Sequence, residues 1–156
     1  MKSIKKLILL ITATLLVGIS AQAQKNYTVT INITRIATMG APLNIELYGD
    51  EASFNAKHSL DSLHIIPEND SIQVSFQQVP AGTYAVAMFQ DIDGTGKLTT
   101  KEFGIPAEPV GISNYPLSGI PRPPKFKKAA FEVLRDTTID IPLMFSKDYA
   151  KEIKKL

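Results

Sequence analysis

Read from Asp91, the run Asp91-Ile-Asp-Gly-Thr-Gly-Lys-Leu-Thr-Thr-Lys-Glu102 places oxygen-bearing side chains at positions 1, 3, 5, 9 and 12, with glycine at position 6. This is the register of a twelve-residue calcium loop. Glycine supplies the sharp turn at position 6, and a carboxylate closes the shell at position 12. A hard cation needs several oxygens from a chain that doubles back on itself. The spacing predicts that Asp91, Asp93, Thr95, the Lys97 carbonyl, Thr99 and Glu102 converge on one point. Such a site binds an ion; it performs no reaction. Its flanks do not fit a helix-loop-helix hand, because Thr83 to Phe89 alternates as a strand and Pro106 blocks a long helix after Glu102. The inner set is therefore Asp91, Asp93, Thr95 and the Lys97 carbonyl. The competing reading is an ion-free turn of Asp-Gly and Thr-Gly pairs, with Lys97 and Lys101 beside the carboxylates. If an ion binds, mixed oxygen ligands on a flexible loop favour Ca²⁺ over Mg²⁺, in a structural role.

Other reactive chemistry is sparse. The chain has no cysteine, which removes disulfides, thiol catalysis and thiolate metal sites together. His58 and His64 lie six residues apart in a poorly patterned connection and read as solvated loop residues rather than a zinc pair. No serine stands in a nucleophile elbow, and no phosphate-cradling glycine run opens a helix. Asp91 and Asp93, two apart on a polar turn, lack the facing geometry of a glycosidase pair. The expectation is a non-enzymatic binding or accessory module, with a hydrolase the weakest alternative. Ser118 to Lys128 is proline-rich and basic, with one aromatic, Phe126. It reads as a stiff loop or as an extended ribbon for an acidic polymer or a partner groove. A protein or glycan partner, or a small ligand bound through Phe103 to Lys128, is the alternative function.

The elements that position these residues begin after a leader. Lys2, Lys5 and Lys6 precede the apolar run Leu7 to Ile19, and Ala21-Gln22-Ala23 supplies small residues for a signal peptidase. Residues 1–23 are expected to be a cleaved signal peptide, leaving no stable membrane insertion and an exported protein, periplasmic or extracellular. Without those three lysines, the 17 basic residues fall to 14 against 15 acidic ones. A near-neutral surface argues against a nucleic-acid partner. The remaining length suits one domain, residues 24–146, with a tail at 147–156 that is helix-permissive or frayed.

Along that domain, Tyr27, Val29, Ile31 and Ile33 alternate with polar residues, as do Leu43, Ile45 and Leu47, and then Ile72, Val74 and Phe76. Each pattern predicts a half-buried strand. Residues 51–70 are the least patterned, with a short strand or turn expected near Leu63 to Ile66. Tyr84 to Phe89 is apolar on both faces and is expected to be a central strand. Phe103 to Lys128 holds six prolines and three glycines, which predicts an irregular surface loop. Ala130 to Leu134 resumes the sheet. Ile139 to Phe145 closes it as a strand that lies at an edge or carries a bulge at Pro142, which lacks a ladder donor. The whole predicts an all-β, antiparallel β-sandwich of immunoglobulin-like or transthyretin-like shape.

Several of these stretches together resemble the exported bacterial family known as domain of unknown function 2141. They are Val79-Pro-Ala-Gly-Thr-Tyr-Ala-Val-Ala87, Asp91-Ile-Asp-Gly-Thr-Gly-Lys-Leu98, Phe103-Gly-Ile-Pro106 with Gly111 and Ser113-Asn114, and Phe126 to Phe131. The resemblance runs from about Thr28 to Phe145. It departs at Thr95 and Thr99, where the family tends to carry Asn or Asp, and after Pro106, where Pro109-Val-Gly-Ile112 replaces an aromatic between glycines. It implies an exported β-domain; no activity is established for the family, so it adds almost nothing on function.

Overall fold

The computed structural model describes residues 25–115 and 124–145. The expected leader at 1–23 and the tail at 147–156 lie outside the described residues, as does part of the proline-rich segment. Eight strands carry the fold: β1 (Asn26–Thr34), β2 (Leu43–Tyr48), β3 (Asp61–Ile65), β4 (Ile72–Pro80), β5 (Gly82–Gln90), β6 (Val110–Ile112), β7 (Phe131–Val133) and β8 (Thr137–Pro142). Two short helices, α1 (Glu51–Ala56) and α2 (Phe126–Ala129), and a one-turn 3₁₀ helix at Glu102–Gly104 complete it. The chain is thus mostly β-sheet. Among the described residues no helix is long and apolar enough to cross a membrane.

The strands form two sheets. One has the order β4-β1-β8. The other runs β3-β2-β5-β6, and β7 shares the second edge of β5 with β6. Alternation decides which side chains meet. Val29, Ile31 and Ile33 of β1, Phe76 of β4 and Ile141 of β8 pack with Leu43, Ile45 and Leu47 of β2 and Tyr84, Val86 and Met88 of β5 in one buried cluster. β5 takes the central place that its two apolar faces predict. β8 lies at the edge of its sheet with Pro142 as its last residue, where the missing amide costs no ladder bond.

Two expectations are corrected, and one unpatterned stretch gains a helix. The pairing is not wholly antiparallel, since β1 and β8 run parallel, Val29 to Thr34 beside Thr137 to Pro142. Alternation specifies the faces of a strand and not its direction. Here the chain leaves β7 in one sheet and crosses to the free edge of β1 in the other, a crossover that imposes no hairpin reversal. Residues 51–56 form a helix. Asp50 accepts a hydrogen bond from the Ser53 amide at 2.8 Å, and Lys57 ends the helix in the left-handed region at φ 55°. Six residues are too few to display helical periodicity, so only the cap signals it. Finally, the stretch from Phe103 to Lys128 is not uniformly irregular: it contains β6 and α2. β6 pairs antiparallel with β5, Ala87 to Phe89 against Ile112 to Val110, and on its other side Val110 exchanges backbone bonds with Met144, at 3.0 and 2.9 Å, while Leu143 donates to Thr34 at 2.8 Å. The segment after β8 thereby ties the two sheets together.

Ser113 completes that tie from inside. Its hydroxyl donates to the Ala129 carbonyl at 2.7 Å and accepts from the Val86 amide at 2.9 Å, and Asn114 donates to the Ala130 carbonyl at 2.8 Å. β5, β6 and α2 are joined by these bonds.

Candidate functional site

The acidic loop begins where β5 ends, and Gln90 sets its position. This side chain is fully buried. Its carbonyl oxygen accepts from the Ala37 and Thr38 amides at 3.1 and 3.3 Å, and its amide donates to the Thr38 and Ala41 carbonyls. All of its polar capacity goes into fixing the turn at residues 37–41. The Gln90 backbone amide donates to the Pro109 carbonyl at 2.9 Å, and the Asp91 backbone amide donates to the Pro42 carbonyl at 2.8 Å. Asp91 therefore leaves the sheet clamped between the turn before β2 and the segment before β6.

The loop closes on its own amides. Asp91 accepts from Thr95 at 3.0 Å and from Gly96 at 2.8 Å. Asp93 accepts from the Thr95 amide at 3.1 Å and from the Thr99 hydroxyl at 2.7 Å. The Thr95 hydroxyl donates to the Lys97 carbonyl at 2.9 Å. Gly94 and Gly96 sit at φ +71° and +72°, a region disfavoured for residues with a Cβ, so the two glycines make the curl affordable. Leu98 packs on the apolar cluster of Val110 and Met144, with Phe89 and Tyr115, and anchors the far side.

Beyond Thr99 the chain turns back. Thr100 and Pro106 form an antiparallel bridge, Lys101 donates to Ile105 at 2.7 Å, and Ala107 donates to Thr99 at 2.8 Å. The 3₁₀ turn containing Glu102 is the tip of this hairpin. The strand of return brings Glu108 beside the loop, where it accepts from the amides of Ile92 at 2.7 Å, Asp93 at 3.4 Å and Thr99 at 3.0 Å. One oxygen from each of Asp91, Asp93 and Glu108 lies within 4.8 Å of the others. Glu102 is exposed and stands outside this group. Of the six residues expected from the register, Asp91 and Asp93 are brought together. Thr95, Lys97 and Thr99 contribute hydrogen bonds to the loop, and the third carboxylate comes from Glu108. Counting from Asp91 could not find Glu108, because its position depends on a hairpin. The available hint was Pro106, which forbids the long helix that follows a twelfth-position ligand.

Asp91 and Glu108 are buried, while Asp93 is exposed. The Thr99 hydroxyl, with further help from Thr95, holds the Asp93 carboxyl below the usual range. The amide and hydroxyl donors named above are neutral, so those bonds orient the carboxylates' charge without neutralising it. Each oxygen atom has about two acceptor positions. The bonds above fill both on Glu108 Oε1 and one on each of the other five oxygens. Oxygens about 2.3–2.6 Å from a common cation can stand up to about 5 Å apart, which the observed grouping satisfies. The cluster is chemically fit for a metal ion, and its all-oxygen donor set is that of a hard one.

His64 is exposed on β3, with its Nδ1 2.9 Å from the Asn44 carbonyl oxygen, and His58 is exposed after α1.

The chain belongs to the DUF2141 family, described as an uncharacterized protein conserved in bacteria, whose model matches residues 31–141. No curated protein and no solved structure gives a significant match.

Proposed function

We propose that this chain is an exported, non-enzymatic binding or accessory module, a two-layer sandwich of immunoglobulin-like or transthyretin-like type, whose acidic loop holds a structural Ca²⁺. The observation that carries the reading is the convergence of Asp91, Asp93 and Glu108, two of them buried, on a loop whose amides already orient the carboxylates. Outer hydrogen bonds of this kind fix ligand geometry before an ion arrives. Neutralising three gathered carboxylates relieves their mutual repulsion, and the loop they belong to is the connection between β5 and β6. Bound Ca²⁺ would pin that connection to the end of the sheet, with waters or the Thr95 hydroxyl completing the shell. The larger ion is preferred because a loop with mixed oxygen donors adapts to irregular coordination more readily than to the strict octahedron of Mg²⁺.

The test is calorimetric titration with Ca²⁺ combined with thermal melting. Saturable binding with a raised melting temperature, both lost in Asp91→Ala, supports the reading. Absence of heat and of a melting shift at millimolar Ca²⁺ overturns it.

A further inference from the structure

The two sheets leave one flank open. Gly111 of β6 faces Ile141 of β8, which sets β6 over β8, so the sheet orders put β3 and β4 together on the opposite flank. The short connection at residues 66–71 requires the same neighbourhood. Leu63 and Ile65 of β3 and Ile72 and Val74 of β4 pack on the core cluster there, yet all four are only half-buried. β4 is also an end strand: β1 takes one side of it, and among the described residues no strand takes the other. The N–H and C=O groups on that side form a template for another strand.

Edges of this kind are ordinarily blunted by charge, proline or cover, and the remaining edges here are. β8 carries Asp140 and Pro142, β3 begins with Asp61, β7 holds Glu132, and Met144 covers Val110 of β6. β4 has no such guard along Ile72 to Phe76, and the chain carries no charged residue from Ser71 to Gln90. Its one interruption comes later. Between Phe76 and Val79 the strand holds one residue more than β1 does between Tyr27 and Val29, and Gln78 lies in the left-handed region at φ 58°, so a bulge confines regular pairing to Ile72 through Phe76.

That run is symmetric about Val74. An antiparallel copy related by a two-fold axis through Val74 sets Val74 beside its counterpart, Ile72 beside Phe76 and Gln73 beside Ser75, apolar against apolar on the core side and polar against polar outside. The outer pair is chemically matched. Ser75 Oγ accepts from Gln77 at 2.9 Å and keeps its own proton to give, while Gln73 donates to Asn32 at 2.8 Å and no described bond takes its carbonyl oxygen. The ends match in charge as well. Glu68 and Asp70 lie beyond Ile72, and Lys25, whose carbonyl accepts from the Ala81 amide at 3.3 Å, lies beyond Pro80. Antiparallel pairing brings these unlike ends together.

We propose that β4 is a self-association edge, at which two copies of this chain join in one continuous sheet of order β8-β1-β4-β4-β1-β8. A strand of another protein would satisfy the same backbone groups, but it would not account for the symmetric order of residues 72–76. The guarded edges at β8 and β3 stop the assembly at two copies.

The test is sedimentation equilibrium of the exported, purified chain from micromolar to millimolar concentration, with amide hydrogen exchange at both extremes. A reversible monomer–dimer equilibrium is expected, with the outward amides of Ile72 to Phe76 exchanging more slowly in the dimer. Val74→Lys sets two ammonium groups against each other at the axis and should raise the Kd about a hundredfold or more, whereas Val74→Thr, uncharged and still β-branched, should keep it within about tenfold. If Val74→Lys does not fold, the exchange pattern of the unaltered chain decides. A chain that stays monomeric at millimolar concentration leaves the edge to a strand of another protein and overturns the proposal. So does a dimer undiminished in Val74→Lys, slowed exchange on β3 or β8 in place of β4, or association that continues past two copies.

Discussion

Replacing Glu108 and Glu102 separately by glutamine distinguishes the site that the fold assembles from the one that residue counting suggests. For a loop module with Kd of about 10⁻⁴ to 10⁻³ M, about 10 mM Ca²⁺ stabilises the folded state by roughly 1.4–2.7 kcal/mol. A folded domain of about 120 residues has an unfolding entropy near 0.25 kcal/mol per kelvin, so this corresponds to about 6–11 °C in Tm. Glu108→Gln removes one of three gathered charges and turns an amide N–H toward a carboxylate oxygen's former amide partners at Ile92, Asp93 and Thr99. Its metal-free form should therefore lose about 1–3 kcal/mol. The informative quantity is the Ca²⁺ increment within each variant, not the absolute Tm. Scanning calorimetry with Ca²⁺ and with chelator should find the increment lost in Glu108→Gln and intact in Glu102→Gln, whose exposed side chain should alter stability by no more than about 0.5 kcal/mol. The opposite result, increment lost at 102 and kept at 108, would show that the loop binds in the linear register and refute the reasoning from the hairpin.

Other outcomes follow from the same geometry. Gly111→Ala places a Cβ 2.8 Å from Ile141 and 3.1 Å from Met88, so denaturant unfolding should show a loss of about 1–3 kcal/mol. Thr99→Val removes the hydroxyl that holds Asp93 low, so a carbon-detected NMR titration should find its pKa moved up toward the usual carboxylate value. The sign for stability is fixed by that direction. The Asp93 contribution is present above the unfolded carboxyl's pKa and lost as pH falls through the lower folded value, and in Thr99→Val it should be smaller and its loss complete at a higher pH. Export with cleavage after Ala23 should yield a mature chain beginning at Gln24 by N-terminal sequencing, and a chain retaining Met1 would exclude it.

How much could be read before folding differs from element to element, for physical reasons. Alternation at Tyr27 to Ile33, Leu43 to Leu47 and Tyr84 to Phe89 specified strands, their buried faces and the central place of β5, because a pleated chain turns every second side chain to the same side. Pro142 announced an edge through its missing amide. The acidity of the loop, its tight curl at Gly94 and Gly96 and the nearness of Asp91 to Asp93 are local properties, legible within six residues. Helix α1 was hidden because six residues do not complete two turns, and β6 because three residues between prolines carry no pattern. The parallel union of β1 with β8, the clamp of Gln90 on residues 37–41 and the arrival of Glu108 beside Asp91 arose only in three dimensions. Each joins segments distant along the chain, and in each the partner is chosen by the path of the intervening backbone rather than by the residues at either end.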